Sequence, residues 1–242
     1  MCSKCGRTEF VLGDQSPLCW GCGAPLIKAM QSYAGWMMSP DFVLHRMKKV
    51  VEKHGYSDVA SGRFKREREA CSTALYALAL SEINREKYWI EVETVQQTPD
   101  TILYQIDQTG GHNTLRRQMV EVVDWEEHVD DVMELIRAKC RKQYPTDFCL
   151  LIAARSGKMV RPQVIARDIR KLTVPFAEIW ILGQSVSNTI NVARLHPTVF
   201  QLEFNLFEAL KRAKTDADVI SRQKRGSKTE FKNLGQIYLP IP

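Results

Sequence analysis

The sequence predicts an α/β (α+β) protein built on a mixed sheet, with a small cysteine-rich module at its head. Three observations predict it. Four of the seven cysteines fall within the first twenty-two residues; apolar residues switch from a helical period to strand-like alternation near residue 88; and strand-like and helical runs then alternate with short connections.

The head reads Cys2-x-x-Cys5, a spacer of thirteen residues, then Cys19-x-x-Cys22, and each pair is followed by a glycine, Gly6 and Gly23. A C-x-x-C turn brings two thiolates within reach of one tetrahedral ion, and two such turns fill all four positions of a structural zinc site. Residues 1–30 are therefore expected to form a zinc ribbon whose folding energy comes largely from the metal. With four sulfur ligands and no open position, such a site is structural rather than catalytic.

Residues 31–60 contain a linking helix. In "SPDFVLHRMKKVVEKHG", Ser39 is placed as the N-cap, Pro40 at the first helical position and Gly55 as the stop, with Val43, Met47, Val50 and Val51 on one stripe. Residues 61–210 read as the core. "GRFKREREACSTALYALALSEINREK" is a long helix, basic at its start and apolar or small in its middle. "YWIEVETV", "DTILYQID" and "RQMVEVVDW" are three strands of an antiparallel meander, separated by turns at Thr98-Pro99 and Gly110-Gly111. "EEHVDDVMELIRAKCRK" is amphipathic, with Val129, Val132, Met133, Ile136 and Cys140 on one face. "DFCLLIAAR" and "AEIWILGQ" are buried strands around the helix "RPQVIARDIRKL", which implies parallel pairing, and "TVFQLEFNL" and "FEALKRAK" add a strand and a short helix. Residues 211–242 read as a basic, turn-rich C-terminal arm.

The net charge is +6, and the hydrophobic content of 44% is enough for one substantial core. No stretch of about eighteen apolar residues occurs, so no membrane partner is expected and a cytoplasmic location is the expectation. Walker, dinucleotide, nucleophile-elbow and H-E-x-x-H motifs are absent, which excludes the enzyme classes they mark. Basic residues gather in three places: Arg63, Lys65, Arg66 and Arg68 at a helix start; Lys158 and Arg161 on a loop; and Arg222, Lys224, Arg225 and Lys228 in the arm. Positive charge at a helix N-terminus conflicts with the helix dipole unless an anion is near, so the first cluster points to phosphate. Together with Arg116 and Arg117 of the third strand and with a ribbon, they predict DNA or RNA as a partner.

Helix, three strands, helix, strand is the order αβββαβ. Over roughly residues 63–204 it resembles the restriction-endonuclease-like fold of the PD-(D/E)XK superfamily. Two short matches carry the resemblance, Pro99-Asp100 at the second strand and Glu121-Val122-Val123 in the third. It implies magnesium held between Asp100 and Glu121, and a lysine where this chain has Val123. Since valine cannot orient water or neutralise charge, either Arg116 or Arg117 substitutes or the pocket is inactive. The first helix of such proteins often adds an acid, for which Glu82 is the candidate.

These readings predict a nucleic-acid-binding subunit of a larger ribonucleoprotein or DNA-processing complex, with other protein subunits as partners and a degenerate nuclease-like core. In size and in its N-terminal zinc module the chain is similar to the zinc-containing large-subunit proteins of type IV CRISPR effector complexes. The alternative is an active magnesium-dependent endonuclease of a defence or transposition system.

Overall fold

The structure is a computed structural model. It describes residues 10–12, 17–19, 36–60, 62–92, 99–107, 114–126, 128–129, 131–145, 147–155, 160–184, 188–213, 219–225 and 228–233.

Strands β1 (Phe10–Leu12) and β2 (Pro17–Cys19) pair antiparallel as a separate two-stranded sheet, and β3 (Trp36–Met38) follows. Helix α1 (Pro40–His54) begins and ends where its caps dictate. The Ser39 side chain accepts from the Phe42 amide at 3.1 Å, and Gly55, at φ 80, donates its N–H to the Val51 carbonyl at 2.8 Å. Val50 is fully buried against Val59 and Phe64, which lie on the short helix α2 (Tyr56–Val59) and the 3-10 turn that follows it.

Helix α3 (Lys65–Asn84) is the backbone of one layer. Small side chains at Ala70, Ala74 and Ala77 let it lie close over Val120, Val122 and Leu151 of the sheet. The predicted meander is present as β4 (Tyr88–Val92), β5 (Thr101–Asp107) and β6 (Thr114–Trp125). Helix α4 (Val132–Cys140) starts later than the apolar stripe suggests, because Asp131 caps it by accepting from the Met133 amide at 2.8 Å. Strand β7 (Phe148–Ala154) runs parallel to β6, and after α5 (Pro162–Ile169) strand β8 (Glu178–Gln184) runs parallel to β7. β9 (Thr189–His196) and β10 (Phe200–Asn205) add antiparallel, and α6 (Leu206–Ala213) returns over α3.

The result is a mixed α/β protein in three layers. Cys149 and Leu151 of β7 face α3, while Phe148, Leu150 and Ile152 face α4 and α5, so the central strand is apolar on both sides as a parallel strand must be. Besides β3, two features have no counterpart in the sequence reading. β9 alternates exposed Asn191 with buried Ile190 and Val192 and was not anticipated as a strand. Part of the basic arm forms β11 (Val219–Arg225) and β12 (Lys228–Asn233), a hairpin whose first strand pairs with β3, giving the order β10-β9-β8-β7-β6-β5-β4-β3-β11-β12. No helix among the described residues is long and apolar enough to cross a membrane.

Leu151 is 0% exposed between the two helical layers, whereas Val164 on α5 is 43% exposed. Leu151→Ala is expected to lower unfolding free energy by about 2–5 kcal/mol and Val164→Ala by less than about 0.5 kcal/mol, read from urea titrations.

Candidate active site

Antiparallel register places Thr101 opposite Val120, which brings Asp100, just before β5, beside Glu121 in β6. Two like charges at neighbouring cross-strand positions repel, so each needs compensation. Asp100 finds part of it in the backbone, its Oδ2 accepting from the Val122 amide at 2.8 Å. Glu121 finds it across the sheet face: Lys139 Nζ, near the end of α4, donates to Glu121 Oε1, and the Tyr144 hydroxyl donates to the same oxygen at 3.1 Å. Tyr144 is itself held by the rings of Phe148 and Phe176, with centroids 5.6 and 4.7 Å away. Glu121 Oε2 is buried and has no hydrogen-bond partner.

A third acid comes from the other layer. Lys65 and Glu69 lie one turn apart on α3, with Nζ 3.1 Å from Oε1. The contact pairs the charges, and Glu69 Oε1 is otherwise buried without a hydrogen-bond partner. Burial, and then the neighbouring Asp100 charge, raises the Glu69 carboxyl above its usual value. Burial likewise raises Asp100, against the lowering effect of the Val122 amide, with the Glu121 charge adding to the rise. Lys65 is raised, first by its contact with Glu69 and further by the charges of Asp100 and Glu121. Burial, then Glu121, pushes the Tyr144 hydroxyl up. These directions show the three acids and two lysines acting on one another as a single electrostatic unit.

Val123 stands two residues beyond Glu121 on the same side of β6, packed into the apolar cluster beneath α4. Lys139 therefore reaches Glu121 from the helix that covers the position where the resemblance implies a lysine. Sequence reasoning missed Glu69, Lys139 and Tyr144. The i, i+4 pair Lys65–Glu69 was a visible signal for the first, and Lys139's place beside Ile136 on α4 a weak one for the second.

Other expectations need correction. Glu82 does not join the acids: it makes a two-pronged pair with Arg212 of α6, at 2.9 Å to each oxygen, thirteen residues and about 20 Å of helix from Glu69. Arg116 and Arg117 do not substitute for the missing lysine, since they sit at the opposite end of β6, lining a cavity beyond the C-terminal half of α3. Arg68 is not a surface cation. It is 7% exposed, its Nε 3.2 Å from Asp124 Oδ2 and its Nη1 donating to the Val59 carbonyl at 2.8 Å, so it anchors α3 internally. Arg155 holds the other Asp124 oxygen at 2.8 Å.

Arg63, Lys65 and Arg66 remain exposed at the start of α3, one to two turns from Glu69, and Arg161 is exposed before α5. Arg222, Lys224, Arg225 and Lys228 lie on the β11–β12 backbone, and Lys158 lies outside the described residues. Cys2, Cys5 and Cys22 also lie outside them, and Cys19 ends β2, so the zinc ribbon is not part of this description. Among the described residues no three His, Cys, Asp or Glu side chains form a ready group for a metal ion. That bears little on magnesium, which takes one or two carboxylates and fills its remaining positions with water and phosphate oxygens. The unpartnered Glu121 Oε2 beside the partly buried Asp100 fits such an ion.

The chain matches no protein-family model, no curated protein and no solved structure.

Two outcomes are expected from this geometry. Lys139→Met, which leaves Glu121 buried without its counter-charge, should cost about 3 kcal/mol or more, and adding Glu121→Gln should recover most of the loss in chemical denaturation. Because folding raises Glu69 and Asp100, the folded chain binds protons more tightly than the unfolded one at these groups. The stability they contribute is full at acid pH and is lost as pH rises from about 4 through their raised values. Melting temperatures measured against pH should flatten over that window in Glu69→Gln.

Proposed function

We propose that the chain is a metal-dependent nuclease that holds DNA or RNA beside the Glu69, Asp100 and Glu121 carboxylates. The observation that carries this reading is Lys139 on Glu121, which supplies from α4 the cation that Val123 withholds. The cluster has the parts that phosphodiester hydrolysis needs: acids to hold a divalent ion, a lysine to orient water or neutralise charge on a phosphate oxygen, and cations nearby to seat the strand. Asp100 and Glu121 would hold magnesium, with Glu69 nearby; when bound, the ion would lower the proton affinity of a water and offset charge on the phosphate. Lys139, 18% exposed, has room to shift from Glu121 toward that phosphate. Arg63, Lys65 and Arg66 would take the flanking phosphates. The αβββαβ order with β7 parallel to β6 supports the restriction-endonuclease-like reading, and a zinc ribbon at Cys2, Cys5, Cys19 and Cys22 would add a second grip.

A second reading keeps the binding and drops the cleavage. In it the chain is a nucleic-acid-holding subunit of a larger complex and its core is a scaffold. The observation favouring it is that Lys139 and Lys65 already pair with Glu121 and Glu69.

The two separate in one assay. Incubated with single- and double-stranded DNA and with RNA in magnesium or manganese, the protein is expected to cut at least one, and Asp100→Ala and Lys139→Met should each reduce the rate by about a hundredfold or more. Salt-sensitive retention of uncut strands in both metals would instead establish the scaffold. Zinc analysis of the wild type against Cys19→Ser tests the ribbon independently.

A further inference from the structure

The β5–β6 hairpin runs past the start of β7. The first β6–β7 pair is Met119 with Phe148, so Thr114–Gln118 extend beyond it and a notch opens between β6 and β8. The end of α3 roofs this notch, about 20 Å along the helix from Glu69. The cavity there has a volume of about 340 Å³, within the range of about 300–1,000 Å³ that small-ligand clefts occupy.

Its polar groups are of two kinds. Glu178 is a satisfied hub: its Oε2 accepts from Trp180 Nε1 at 2.9 Å, Gln118 Nε2 at 3.1 Å and the Tyr76 hydroxyl at 3.3 Å, and its Oε1 lies 3.5 Å from Arg194. Arg194 is further tied to the Thr198 carbonyl and hydroxyl and lies over the Trp180 ring. The one carboxylate lining the cavity is thus matched by one arginine. Arg116, in contrast, is exposed at its rim and has no partner among the described residues, which leaves an excess of one positive charge; Arg117, in register with Tyr104, alternates to the opposite face of β6. Arg116 stands in register with Gln105, whose amide also lines the cavity. The apolar part of the mouth is formed by Ile83 and Phe200, 36% and 37% exposed, two of the few large hydrophobic side chains in the described residues that reach solvent.

We propose that this notch is a nucleotide site, taking a terminal phosphate on Arg116 and a base against Phe200 and Ile83. An exposed guanidinium suits a phosphate, which it can grip in bidentate fashion; an exposed ring beside a branched aliphatic side chain suits a flat heterocycle; and the Gln105 amide suits its polar edge. A simple anion would leave the aromatic mouth unused, and an apolar ligand would strand Arg116. The chemistry is that of a nucleoside monophosphate, either free or as the 5′-phosphorylated end of a strand. It stands on residues separate from the carboxylate cluster and holds whether or not that cluster cuts.

The test is titration of the full chain, by calorimetry, with AMP, adenosine, phenyl phosphate, and a short oligonucleotide with and without a 5′-phosphate. The expected result is binding of AMP or of the phosphorylated oligonucleotide, with adenosine and phenyl phosphate each weaker by about tenfold or more. AMP binding identifies a free nucleotide, and binding of the phosphorylated oligonucleotide alone identifies a strand end. Arg116→Ala should weaken the tight ligand by about tenfold or more, and Phe200→Ala by about tenfold, while Arg170→Ala on the far side of the sheet leaves it unchanged. Circular dichroism on each variant separates lost binding from lost folding. The proposal is overturned if neither AMP nor the phosphorylated strand binds, if phenyl phosphate binds as tightly as AMP, if removing the 5′-phosphate changes nothing, or if the folded Arg116→Ala variant keeps its affinity.

Discussion

Placing Asp100 and Glu121 side by side at the β5–β6 edge puts two negative charges into a half-buried position, and much of the surrounding structure answers that one constraint. Compensation comes from both helical layers at once, Lys139 reaching in from α4 and Lys65 standing with Glu69 on α3. Since α3 and α4 lie on opposite faces of the sheet, the electrostatic unit ties the three layers together at one end. Burial raises Asp100 and Glu69, so neutral pH works against the fold at this spot. Such a locally unfavourable arrangement is characteristic of sites kept for chemistry rather than for stability.

A second pair of contacts keeps that end closed. Asp124, near the end of β6, is held from both sides by Arg68 of α3 and by Arg155 just after β7. Arg68 also grips the Val59 carbonyl, so the segment before α3 is fastened to the sheet through a single guanidinium. The basic run at the start of α3 thus divides by depth. Arg68 holds the helix in place, and Arg63, Lys65 and Arg66 face outward from the helix so held. A linear sequence shows four cations in six positions, and only the helical period assigns them different work.

The sequence disclosed the core well because its signals are strong and local. Ser39, Pro40 and Gly55 bracket α1 as their backbone preferences require, and the β4–β5–β6 meander follows from alternation and from the turns between its strands. β9 was hidden because its polar positions, Thr189, Asn191 and Arg194, dilute a short apolar run. The β11–β12 hairpin was hidden because Arg222, Lys224 and Arg225 read as solvated arm, and its strand character depends on the long-range pairing with β3. The site divides in the same way. Asp100 and Glu121 were legible as a motif on adjacent strands, but Lys139 comes from an element eighteen residues further on, and no local pattern ties it to Glu121. Glu69 and Glu82 differ in their position along the helix. Both acids lie on α3, but only the first turns reach the β5 edge, and the last turns pack against α6.

Helix α3 accordingly has two chemically different ends. At its start, buried acids and lysines compensate one another and exposed arginines flank them; at its end, the longer reach of β6 relative to β7 leaves a notch with excess positive charge and an aromatic mouth. Under the proposed nucleic-acid reading, a strand lying along the helix would meet exposed cations at one end and the notch about 20 Å further on, a span of several nucleotides. The rigid helix, buried from Arg68 to Leu80 over both β6 and β8, fixes that spacing. A substrate long enough to occupy both ends would be positioned by geometry before any reacting group is engaged, and one too short would lose that positioning entirely.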